Sequence, residues 1–167
     1  MISPDYVRLM ARYNAWQNGS IYGAADRLSS AQRLEDRGAF FGSIQATLAH
    51  LLWADQLWMM RLVGTPAPRV PSIAESTRAY PDWQELKADR TACDDAVSQW
   101  AASVDARALA GDYAWHSASA GKTITKPRWQ LITHMFNHQT HHRGQVHAML
   151  TAFGLQPAAT DIPFMPD

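Results

Sequence analysis

The sequence predicts an all-α protein, a four-helix bundle. Three observations carry that expectation: apolar residues recur at helical spacing in four long segments, each segment opens on a capping residue or a proline, and a proline-rich stretch interrupts the pattern between the second and third. Amphipathic helices must bury their stripes against one another, and four of them joined by one long crossover do so most economically as a bundle. With 167 residues, a single domain spanning 1–167 is expected.

The first helix opens on Ser3-Pro4-Asp5, an N-cap followed by proline at the first helical position. Tyr6, Leu9, Met10, Tyr13, Trp16, Ile21 and Leu28 then mark its apolar stripe and place its end near Leu28. A polar connection from Arg33 to Gly38 leads to Gly42-Ser43, a stop and a new N-cap. The second helix follows through Ile44, Leu48, Leu51, Leu52, Leu57, Trp58 and Leu62, and Gly64 ends it.

Pro66, Pro68, Pro71 and Pro81 make the next stretch an ordered crossover with room for one short helical turn. Asp82-Trp83-Gln84-Glu85 has capping-box spacing, and a charged third helix with Leu86, Ala92, Cys93, Val97 and Trp100 on its inner face runs to about Val104. Tyr113-Ala114-Trp115-His116 and Lys122-Thr123-Ile124-Thr125 flank Ser119-Ala120-Gly121 as a small β-hairpin. Pro127 suits the first turn of the fourth helix, whose apolar positions Trp129, Leu131, Ile132, Met135, Phe136, Val146, Met149 and Leu150 continue to Phe153, with Gly154 as the stop.

Fifteen basic and fifteen acidic side chains cancel, so no net field draws in nucleic acid or an anionic membrane, and neither is expected as a partner. Cys93 is the only cysteine, which excludes an internal disulfide and fits a reducing compartment. Met1-Ile2-Ser3-Pro4 lacks a basic and apolar leader, and the most apolar stretch, Leu48 to Leu62, carries His50, Asp55, Gln56 and Arg61. A cytoplasmic protein without a membrane span is expected.

The most informative tract is Thr133 to Gln145, which holds four of the seven histidines. His138 and His142 are four apart, so a helix stacks their rings on one face where both can reach one metal ion. Two ligands hold a metal poorly, and His50, in the strongly apolar second helix, is the best candidate for a third. Facing one another inside a bundle, the three imidazoles would leave one coordination position open.

These residues resemble the DinB family (DinB/YfiT-like) of candidate metalloenzymes. The likeness rests on Tyr13-Asn14-Ala15-Trp16, on Gly42-Ser43-Ile44 through Leu48-Ala49-His50-Leu51 and Asp55 to Trp58, and most specifically on Asn137-His138-Gln139-Thr140-His141-His142-Arg143-Gly144-Gln145. The resemblance implies a bundle in up-down-down-up order, commonly a homodimer, with a divalent metal such as nickel or zinc held by one histidine of the second helix and two of the fourth, here His50, His138 and His142. Relatives include thiol-dependent isomerases and transferases that use low-molecular-weight bacterial thiols, so a small-molecule substrate, including such a thiol, is the partner it implies.

His134 lies about 40° and His141 about 60° from His138 on the helical wheel, on the same side. Both flank the site, placed to orient a ligand imidazole or to shuttle protons, and either could substitute as a ligand. Arg143, about 140° away from His138, is expected to point elsewhere, into a salt bridge or a subunit contact. Asp55 stands about 140° round its helix from His50, so it is structural, paired with an arginine or with Asn14. Trp16, Trp53, Trp58 and Trp129 read as core rather than a pocket mouth, Cys93 as a blunted thiol among acidic residues, and His116 as a weak candidate for reaching over the site.

The functional expectation is a metal-dependent hydrolase or a thiol-dependent transferase, in which water or a thiolate fills the open position of the three-histidine site. Three imidazoles around zinc bring bound water down to a pKa of about 7, enough to supply hydroxide at cellular pH. The alternative is a non-catalytic bundle whose metal stabilises the fold and serves a stress-response or binding role.

Overall fold

The computed structural model describes residues 1–117 and 120–166. It is mostly helical, with a small two-stranded sheet. Four long helices dominate: α1 (Pro4–Ala25), α3 (Ile44–Val63), α5 (Trp83–Ser103) and α7 (Arg128–Ala152). Three short ones lie between them, α2 (Ser30–Leu34), α4 (Ile73–Ser76) and α6 (Ala106–Leu109), and a 3₁₀ turn covers Ile162–Phe164. Among the described residues no helix is long and apolar enough to cross a membrane.

Local chemistry sets the helix ends. The Ser3 hydroxyl accepts from the Tyr6 amide at 3.2 Å, and Ser43 accepts from Ala46 at 3.2 Å, each satisfying an amide that the first turn leaves unpaired. Gly64 closes α3 at φ 81°, a left-handed conformation that a side chain would strain. Gly154 plays the same part after α7 at φ 75°.

Several expectations need correction. α1 stops at Ala25 rather than Leu28, because the chain tightens there: the Arg27 and Leu28 amides donate three residues back, to Ala24 and Ala25. Leu28 is buried all the same, whereas Leu9, expected on the stripe, is 37 % exposed and Val7 and Ala11 fill that face. The polar connection is interrupted by α2, whose full capping box pairs Ser29 with Gln32 in both directions. At α5 the expected box is half made: Asp82 caps Glu85, but the Glu85 carboxylate turns to Arg69 at 2.8 Å. Ala92 faces solvent, and the buried stripe of α5 instead runs Trp83, Leu86, Arg90, Cys93, Val97, Ala101. Pro127 is the residue before α7, ending a strand, and not in the helix's first turn.

The hairpin forms as β1 (Asp112–Ser117) antiparallel to β2 (Lys122–Pro127), with Trp115 opposite Ile124. Of the expected turn, Ser119 lies outside the described residues. The hairpin docks through Trp115, whose ring meets Trp58 of α3 edge-on at 5.8 Å. Arg128, just beyond it, donates to the carbonyls of Leu62 and Ala108, pinning the start of α7 to the end of α3.

α1 packs on α5 and α7, and α3 packs on the same two helices. Ile44, Leu48, Leu52, Met59, Leu86, Ile132, Met135, Phe136 and Leu150 are sealed between them. The crossover is ordered as expected. It carries the short helix α4, Trp53 Nε1 donates to the Val70 carbonyl at 2.7 Å, and Gln45 Nε2 donates to the Tyr80 carbonyl at 3.0 Å.

Candidate metal centre

The second turn of α3 and the middle of α7 bring three imidazoles together. His50 and His142 are buried and His138 is half-buried. One ring nitrogen from each of the three lies within 4.8 Å of the others, and among the described residues they form the one group able to hold a metal ion. The closest pair is His138 Nε2 and His142 Nε2, 3.1 Å apart. Two imidazole nitrogens bound tetrahedrally to zinc at about 2.0–2.1 Å stand about 3.3 Å from one another, so this pair already has a ligand spacing. The donor set of three neutral nitrogens suits nickel, zinc or copper.

Burial is what makes the nitrogens available. Loss of hydration, reinforced by the charge His142 would carry, pushes His50 down to about 4. The same loss, together with the neighbouring imidazoles, pushes His138 down to about 3. His142 is lowered by burial and partly restored by its hydrogen bond to Gln145. All three are therefore neutral near pH 7 and compete with no proton for a metal.

A pH dependence follows. In the metal-free protein, between the ordinary 6.5 and the folded values near 3 to 4, the unfolded chain binds protons that the folded chain refuses. Stability is full above about pH 6.5 and falls as pH drops through that window. His138→Asn removes one such group, and melting curves from pH 7 to 4 should show its slope reduced by up to one proton relative to the unaltered protein. Parallel curves for the two would contradict the assignment.

The partners of the outer nitrogens differ from those expected. His50 Nδ1 meets the Ser76 hydroxyl at 2.9 Å, and His142 Nδ1 meets Gln145 Oε1 at 2.8 Å. His134 and His141, expected to flank the site, are both exposed. The His134 ring lies 5.7 Å from that of His138 and 5.5 Å from Trp58, and His141 touches the site through Gln145 Nε2 at 3.3 Å. Neither belongs to the three-nitrogen group. Phe41 is a further neighbour, its ring 4.1 Å from His50 and 5.4 Å from His142. His116 sits exposed on β1 opposite Thr123 and outside the group.

Behind the imidazoles lies a buried polar network. Arg90 bridges Asp55 at 2.6 Å and Asp94 at 2.8 Å, and Asp94 accepts from Asn18 at 2.9 Å and Asn14 at 3.3 Å. Burial opposes the Arg90 charge, but the surrounding Asp94 and Asp55 carboxylates outweigh it and hold the guanidinium firmly protonated. Asp55 is thus the structural residue expected, paired with an arginine. Among the described residues Arg143 has no salt-bridge partner: it is buried and donates to Asn14 Oδ1, with Asn18 Oδ1 at 3.5 Å and the Tyr13 ring 5.6 Å away. Cys93 is buried and pushed up to about 12, by burial first and the neighbouring carboxylates after it, so its thiol is inert. Trp53 and Trp58 are buried, and Trp16 and Trp129 are half-buried.

The DinB family model matches residues 1–167, the whole length. The chain belongs to the DinB family. Within that family it is similar to Protein DinB of Bacillus subtilis (strain 168), 23 % identical over 158 residues, which cover 94 % of this chain and 91 % of that protein. For this DinB-family chain, sequence reasoning brought out the three histidines but missed Ser76 and Phe41. Gln145 ends the Asn137–Gln145 motif, and its place three residues after His142 on a helix is a readable signal of that contact. Ser76 is 26 residues from His50 and carries no such local signal.

Proposed function

We propose that this DinB-family protein is a metal-dependent enzyme, a hydrolase or a transferase that uses a low-molecular-weight thiol. His50, His138 and His142 would hold one divalent ion, nickel or zinc, which would supply Lewis-acid activation of a water or a thiolate as nucleophile. The observation that carries this reading is the convergence of three neutral, largely buried imidazole nitrogens, two of them with oriented outer nitrogens. The mutual packing of α1, α3, α5 and α7 supports a four-helix bundle in up-down-down-up order, a single domain with the site between its second and fourth long helices. A cytoplasmic homodimer acting on a small molecule completes the proposal.

One observation favours a second reading, a non-catalytic bundle stabilised by its metal and serving a stress-response or binding role. Among the described residues no carboxylate joins the three-nitrogen group, so the group itself holds no carboxylate to act as general base. The experiment that separates the two starts from protein purified without a metal-affinity tag, reloaded with nickel or zinc and measured by elemental analysis. About one ion per chain and turnover of thiol adducts or hydrolysable esters supports the enzyme. An ion that raises the melting temperature without any turnover supports the second reading, and a chain that takes up no ion ends both.

A further inference from the structure

Ser76 lies in the crossover, in the four-residue helix α4, and it is fully buried. Its hydroxyl has one proton and two polar neighbours: the Ile73 carbonyl at 2.7 Å and His50 Nδ1 at 2.9 Å. A carbonyl oxygen can only accept, so the hydroxyl proton goes to Ile73. His50 must then supply the proton of its own contact from Nδ1. On the other side of the site the Gln145 side chain does the same by another route. Its Oε1 accepts from His142 Nδ1 at 2.8 Å, while its Nε2 donates to His141 Nε2 at 3.3 Å. His138 has no such support, because its Nδ1 is buried without a partner.

We propose that Ser76 and Gln145 are positioning residues that fix His50 and His142 in the Nδ1–H tautomer, so that both present a bare Nε2 to the common point, and that His138, whose Nε2 lies 3.1 Å from the bare His142 Nε2, donates its Nε2 proton there in the metal-free protein and shifts it to the unpartnered Nδ1 when an ion is bound. The proposal rests on the metal-site reading above but makes a claim that can be read without metal. It also gives the crossover a purpose: it delivers the hydroxyl that orients the α3 ligand. His141, through Gln145, acts on His142 from a distance and is not itself a ligand.

Two readouts test it. In metal-free protein labelled with ¹⁵N on histidine, ring nitrogen shifts should place His50 and His142 in the Nδ1–H form. Ser76→Ala should let His50 populate both tautomers, and Ser76→Thr, which keeps the hydroxyl, should restore one. With cobalt(II) as the probe ion, Ser76→Ala and Gln145→Leu should each weaken binding about 10–100-fold and change the d–d absorption, while Ser76→Thr and Gln145→Glu, which keep the acceptor, stay closer to the unaltered protein. An Nε2–H tautomer at His50 or His142 in the unaltered chain overturns the proposal. So does cobalt bound by Ser76→Ala and Gln145→Leu with unchanged affinity and spectrum, a result that leaves the metal reading standing. If the unaltered chain binds no cobalt yet shows the stated tautomers, the metal reading fails and the positioning assignment survives.

Discussion

Replacing His138 by alanine is expected to abolish metal binding while leaving the fold in place. His138 contributes one of the two nitrogens already at ligand spacing, 3.1 Å from the other, so its loss removes half of the α7 clamp. The loss should exceed the about 10–100-fold that an outer-sphere partner is worth. The cost to the metal-free fold should be small, about 1 kcal/mol, because the ring is half-buried, its Nδ1 has no partner to lose and its Nε2 gives up only the contact with His142. Melting temperatures with and without zinc make the measurement. The unaltered protein should gain about 2.7 kcal/mol at an ion concentration one hundred times its Kd, and the variant should gain nothing. A variant that keeps the gain would show that His138 is not a ligand.

Replacing Arg90 by methionine should cost far more in stability than any change at the metal centre. The guanidinium stands between Asp55 and Asp94, and its removal leaves the Asp55 carboxylate buried with no cation in contact. Breaking a buried pair from one side costs about 3–5 kcal/mol, whereas replacing both partners by apolar groups of similar volume is nearly neutral. Urea unfolding of Arg90→Met, Asp55→Leu and the double variant therefore gives a closed cycle. The double variant should be more stable than Arg90→Met alone, by an amount that reports the stranded charge. A loss below about 1 kcal/mol in Arg90→Met would mean the network contributes nothing to the fold.

The elements were legible in proportion to how local their causes are. Ser3, Ser43 and Gly64 act within one helical turn, and the ends they set at the start of α1 and at both ends of α3 were readable. α2 was hidden because its capping box is followed by only five helical residues, too few to show a period. At the end of α1, the 3.6-residue pattern carried through Leu28 while the backbone had already tightened, so a buried apolar residue mimicked another helical turn. The inner face of α5 was misjudged at Ala92 because the buried position belongs to Arg90, whose charge is compensated by carboxylates on α3 and on α5 itself.

At the site the same rule holds. The pairing of His138 with His142 is a property of helix pitch, and the sequence alone determined it, together with the helical character of the chain and the identity of all three candidate ligands. The tertiary structure decided which groups complete them. Ser76 reaches His50 across 26 residues, Phe41 lies against two of the rings, and Arg143 finds Asn14 across 129 residues rather than a carboxylate. Periodicity says which face of a helix a residue occupies, but only the packing of one helix on another says what that face meets.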